Sequence, residues 1–261
     1  MIQAAKELIQ YRQLLFTLTW REIRIRYKET VMGFLWAILM PMMVVAAGAL
    51  VRKAFAFASG KPMEYEALVS VMVKALPWAF FAGSIRTAAS SLLANSNLVP
   101  KIYFPREVFP FSSVLAQLFD FAVAASLVVI VIALSGLSVG IQIFWLPMLL
   151  LLLILLTAGW GLFLSCAALF FRDVKYIVEI VMTFGILFTP VFYEASMFGE
   201  WSYLLLLNPV GSILEAINDV VVLNRTPDPF WLFYSSVWAV GSFFLAWFIF
   251  DKAEPAFAES I

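Results

Sequence analysis

Six long apolar stretches, at about residues 33–51, 69–93, 111–134, 144–171, 177–192 and 230–250, constrain this chain more than any other feature. A helix needs about 20 apolar residues to cross a bilayer core. Five of the stretches come close to or exceed that length, and 177–192 is the shortest. Lipid offers no hydrogen-bond partners, so a crossing backbone must satisfy its own N–H and C=O groups in a helix or a closed barrel. The strict alternation of a barrel strand is absent, which leaves helices. With 64% hydrophobic and 13% charged residues, the chain lies far from soluble domains, which are about half apolar and a quarter charged. The expected fold is an all-α membrane protein with six transmembrane helices.

Several chemistries drop out on composition. The chain has no histidine, so His-type zinc sites, Ser-His-Asp catalysis and the H-E-x-x-H motif are excluded together. Cys166 is the single cysteine and cannot close an intramolecular disulfide. No G-x-x-x-x-G-K-S/T phosphate loop occurs, so ATP hydrolysis, if it drives this protein, belongs to another chain. The chain itself is expected to be no enzyme and to bind no cofactor or metal. Seventeen basic and 17 acidic residues cancel, which leaves no basic excess for nucleic acid. The first thirty or so residues are polar and basic and do not read as a cleavable signal peptide.

The basic residues suggest an orientation. Lys6, Arg12, Arg21, Arg24, Arg26, Lys28, Lys101, Arg106, Arg172, Lys175 and Lys252 fall on one side of the six spans. Arg52, Lys53, Lys61 and Arg225 fall on the other. The side richer in Lys and Arg is usually cytoplasmic, so both termini are expected inside, with 251–261 as a cytoplasmic tail.

Three segments outside the spans carry a pattern. In residues 1–30, Phe16, Trp20, Ile23 and Tyr27 share a narrow helical sector, opposite Arg21, Arg24 and Lys28. That describes an amphipathic interface helix lying in the headgroup layer; a generic anchor for the first span fits equally. Between spans two and three, Pro100 and Pro105 restrict the chain to short turns, with Ile102, Tyr103 and Phe104 on a face expected to meet water. Rimmed by Lys101, Arg106 and Glu107, that cluster suits docking of a cytoplasmic partner, or alternatively a dip into the headgroups. Beyond span five, Trp201-Ser-Tyr-Leu-Leu-Leu-Leu-Asn-Pro209 and then 211–223 are apolar but too short to cross. Short re-entrant outer helices suit them better than a seventh span, with an ordinary lid loop as the alternative.

Ionisable residues within the spans should face protein or water. These are Lys74, Arg86 and Asp120. The alternative, in which Lys74 or Arg86 reaches nearby headgroups, suits Lys74 better than Arg86. Adjacent antiparallel spans and opposite charge suggest an Arg86–Asp120 contact.

With these segments in order, the chain resembles the membrane subunit of ABC-2-type exporters, in the branch that moves O-antigen, capsule or teichoic acid precursors. The resemblance rests on the N-terminal helix, the six spans, Leu98-Val-Pro-Lys-Ile-Tyr-Phe-Pro-Arg-Glu107, Phe171-Arg-Asp-Val-Lys175, Thr189-Pro-Val-Phe-Tyr-Glu194 and the Asn208-Pro209 break. It implies a homodimer in the bacterial cytoplasmic (inner) membrane, formed by a six-helix domain at 31–261. Two copies of a separate ABC ATPase would carry ATP and Mg, and the cargo would be a polysaccharide on undecaprenyl diphosphate. Pro100, Lys101, Ile102, Tyr103, Phe104, Pro105, Arg106 and Glu107 would be the coupling loop. Trp36, Arg86, Asp120, Phe188 and Tyr193 would line the path, and Trp201, Tyr203, Asn208 and Pro209 the outer gate. Export of a drug or lipid by a similar transporter is the alternative, followed by an ATP-independent carrier or channel.

Overall fold

The computed structural model describes residues 2–28, 35–60, 65–96, 104–135 and 140–257. Among these the backbone is almost wholly helical, without a strand. Two N-terminal helices, α1 (Ile2–Gln10) and α2 (Arg12–Lys28), precede α3 (Trp36–Ser59), α4 (Tyr65–Ala94), α5 (Val108–Ser135) and α6 (Leu146–Phe170). Then come α7 (Val174–Phe188), the short α8 (Ser202–Leu206), α9 (Pro209–Val221) and α10 (Pro229–Ala253).

Local chemistry sets the ends of these helices. Gly60 closes α3 in the left-handed region at φ 68°, where its N–H reaches the carbonyls of Ala56 and Phe57. Asn208 caps α9 by accepting from the Val210 N–H at 3.1 Å, with Pro209 pre-shaped for the first turn. Asp228 caps α10 in the same way, accepting from Phe230 and Trp231 ahead of Pro229. Pro190 forces Thr189 into an extended conformation and so stops α7 at Phe188.

Four helical segments among the described residues are long and apolar enough to cross a bilayer: Glu66–Ala94, Val108–Ala133, Ile141–Phe170 and Pro229–Ala256. α3 and α7 are not among them. α7 has 15 residues and leaves 189–192 of the expected fifth span outside the helix. α3 extends eight residues past the expected end of the first span, so Arg52 and Lys53 lie on a helix and not in a loop. The expected cytoplasmic tail also changes: 251–253 finish α10, and a 3-10 turn at Glu254–Ala256 leads to a fully buried Phe257.

α4 is the central helix. Within its most apolar window 78% of residues are buried, against 17% for α5 and for α10. The main core joins α4, α6 and α9 around Ile85, Leu153, Leu156, Ile213 and Leu214. A second core at the other end joins Leu18, Leu92, Phe109, Leu162 and Phe250. α6 and α10 approach closely because Gly159 has no side chain. A Cβ there would sit 2.8 Å from the Phe243 Cα. The remaining faces of α3, α6, α7 and α10 expose apolar residues such as Met43, Leu151, Phe188 and Phe233.

Candidate functional site

A cleft of about 680 Å³ opens between the end of α2 and helices α3, α4, α5 and α7. Trp36, Arg86 and Asp120 all line it, joined by Arg26, Tyr27, Gln117, Thr87 and Thr183. Trp78, Phe80 and Phe121 supply aromatic walls. Rings beside hydroxyl, amide and charged groups give a surface that can hold a polar solute through many weak contacts. Phe188 and Tyr193 do not join this cleft. Phe188 is 72% exposed on the outside of α7, and Tyr193 stacks edge-on with Phe198 and donates to the Leu187 carbonyl at 2.8 Å.

The expected Arg86–Asp120 pair does not form. Arg86 turns to α7, reaching Glu179 at 3.2 Å and donating to the Thr183 hydroxyl at 3.1 Å. Asp120 instead accepts from the Arg26 guanidinium and the Tyr27 hydroxyl, both at the end of α2. Each charge in the cleft found a nearer partner on a third helix. Sequence reasoning missed Arg26 because it lies off the aromatic sector that singled out its neighbours. Burial and the Asp120 carboxylate hold the Tyr27 phenol above its ordinary pKa, so it stays a hydrogen-bond donor.

α2 is seated along α5 by a different face from the expected one. Tyr11, Leu14, Leu15 and Leu18 meet the second core. One turn further on, Glu22 accepts from Ser112 at 3.1 Å and Ser113 at 3.0 Å. Arg26 then reaches Asp120, completing a row at helical spacing. Burial raises the pKa of Glu22 against the opposing serine hydrogen bonds. Arg21 donates to the Asn95 side-chain oxygen Oδ1 at 2.7 Å. The aromatic sector therefore splits: Ile23 is buried and Tyr27 enters the cleft, while Phe16 and Trp20 face outward. Arg24 lies over the Trp20 ring, and Lys28 is exposed.

Of the expected coupling loop, Pro100, Lys101, Ile102 and Tyr103 lie outside the described residues. Phe104 is not on a water-facing surface. It is buried and meets Phe109 edge-on at 5.4 Å. The turn that follows α10 folds back here: Arg106 donates to the Glu254 carbonyl at 2.6 Å and stacks over Phe257. Pro105 and Glu107 are buried as well. Phe104→Ala should therefore act on the fold, costing about 3 kcal/mol as a large-to-small core change. A lowered melting temperature of the detergent-purified chain is the expected reading, and an unchanged one would return Phe104 to the surface.

At the opposite end a second charged group ties the chain together. Lys74 does not reach headgroups; it is fully buried and donates to the Tyr193 carbonyl at 2.6 Å and to Glu215 at 3.3 Å. Glu215 also accepts the Ala195 N–H at 2.9 Å. Arg52, 5% exposed, pairs with Glu194 at 3.0 Å. Asn208 donates to the Thr189 hydroxyl at 3.0 Å, which joins the start of α9 to the end of α7. α9 is buried along most of its length, whereas Trp201 and Tyr203 are exposed before it. Glu194 closes the Thr189–Glu194 motif without any sign of its partner and Glu215 lies in no motif, so only their meeting with Arg52 and Lys74 marks them as a pair of ion pairs.

The chain matches the family model described as "ABC-2 type transporter" over residues 13–222. Over its whole length it is 29% identical to the O-antigen export system permease protein RfbA of Myxococcus xanthus, covering all of that protein. Two proteins of the same name from Klebsiella pneumoniae are 26% and 25% identical, over 94% and 79% of each chain. All of α2 after its first residue, the central α4 and every residue lining the cleft lie within the matched region, and the chain belongs to the ABC-2 type transporter family.

Proposed function

We propose that this chain is the membrane subunit of an ATP-driven exporter that moves a polysaccharide across the bacterial cytoplasmic membrane. The observation that carries this reading is the end-to-end similarity to a protein named as an O-antigen export permease. The cleft supports it, since rings beside hydroxyls and amides match the flat C–H faces and polar rims of sugars.

In the full reading α3 and α7 also cross the bilayer, making six spans with both termini in the cytoplasm. The apolar outer faces of α3 and α7 then meet a second copy of the chain, and the cargo passes between them. α8 and α9 enter the membrane from outside as short helices and form the outer gate. Two copies of an ABC ATPase bind ATP and Mg and press on the 95–107 loop and α2. The polymer travels on undecaprenyl diphosphate.

Co-purification tests this. The tagged chain, extracted from its source in mild detergent, should bring an ATP-binding subunit with it at equal stoichiometry. Deleting the chain should strand polysaccharide inside the cell. Retained ATPase with normal surface polysaccharide would point to a drug or lipid as the cargo. A chain that emerges alone and transports in liposomes without ATP would overturn the reading.

A further inference from the structure

Glu107 closes the described end of the proposed coupling loop, against the first turn of α5. It is 1% exposed, and neither carboxylate oxygen has a hydrogen-bond partner. Its neighbours in sequence, Phe104, Val108 and Phe109, belong to the apolar core that Phe250 and Phe257 close from the other side. The charges facing it from other elements are acidic: Glu7 from α1, Asp251 from α10 and Glu254 from the turn that follows. Arg106, the preceding residue, is turned away to the Glu254 carbonyl.

An ionised carboxylate in such a place has lost its water and has only its own backbone N–H close enough to favour the anion, which costs more than taking up a proton. The start of α5 favours the anion only weakly. Burial first, and then the three facing carboxylates, push the pKa of Glu107 up to about 7 against the opposing pull of its own backbone N–H. The group therefore changes charge near neutrality, where most carboxylates are fully ionised.

We propose that Glu107 is a proton-operated latch: protonated, it seats the 104–109 corner against the end of α10, and ionised, it drives that corner out toward water. The latch stands on the geometry of this chain alone. Its consequence for transport rests on the exporter reading, in which this corner adjoins the ATPase. Acidification would then hold the 104–109 corner in place, and alkalinity would loosen it.

The linkage has a definite sign. Between the ordinary carboxylate value of about 4.3 and about 7, the folded chain binds more protons than the unfolded one. Stability conferred by this group therefore falls as pH rises through that window and is lowest above it.

The test uses hydrogen–deuterium exchange on the full-length chain in detergent at about pH 6 and pH 8, corrected for intrinsic exchange. In the wild type, protection of 104–112 should fall roughly tenfold at the higher pH, following the ionised fraction. Glu107→Gln, which cannot ionise, should stay protected at both. Equal protection of the wild type at the two values overturns the latch without any variant. So does a Gln variant that opens in parallel with the wild type. Loss of ATPase co-purification would count against the exporter reading and leave the exchange result standing.

Discussion

Lys74→Met is expected to be among the most damaging single substitutions in this chain, lowering stability by about 3–5 kcal/mol as the breaking of a buried ion pair does. Lys74 is fully buried on α4, and Glu215 on α9 would be left as an uncompensated charge. The loss reaches beyond the pair. Lys74 also holds the Tyr193 carbonyl, and Glu215 the Ala195 N–H, so one cation fixes the turn leaving α7 against α9. The double variant Lys74→Met/Glu215→Gln should recover part of the loss, because no charge remains unpaired while the amide oxygen can still accept from Ala195. Melting of the purified chain in detergent reads both. If Lys74→Met melts with the wild type, the pair contributes nothing. If the double variant is no better than the single, the charge was never the cause.

Asp120→Ala should disconnect α2 from the cleft. It removes the acceptor of both Arg26 and Tyr27 and leaves the Glu22 contacts and the leucine face in place. Both partners of the ion pair are part-exposed, so the cost in stability should be modest, about 1–2 kcal/mol after allowing for solvent screening. Function should suffer more. Movement of α2 can alter the cleft only through contacts that differ between two states, and this pair is the direct link between them. Surface polysaccharide should fall by about tenfold, the effect of losing some 1.4 kcal/mol of coupling. ATPase co-purification should persist. Exchanging the charges, Arg26→Asp with Asp120→Arg, should restore part of the export. Full export by Asp120→Ala would remove α2 from the transmission route.

Both sites lie where distant segments meet, and that explains how they escaped a reading of the sequence. Lys74 and Glu215 are 141 residues apart, and Arg26 and Asp120 are 94 apart. A charge within an apolar run announces that it needs a partner but not which one. Asp120 and Arg86 were the natural pair on adjacent spans, yet α2 and α7 each brought a nearer group to the cleft. Phe104 misled for a related reason. A ring between two prolines beside basic residues reads as surface until Phe109, Phe250 and Phe257 gather with it into one core.

The sequence by itself determined that the chain is helical and membrane-embedded, because apolar length and the lack of hydrogen-bond partners in lipid are properties of single segments. It also marked the break at Asn208-Pro209, where a cap acts within its own turn. Only the tertiary structure decided that α4 is the centre, that α2 turns its leucine–Glu22–Arg26 row inward, and which charges pair. Those outcomes depend on distance in space, and neither hydropathy nor helical period carries information about which segment will become the neighbour.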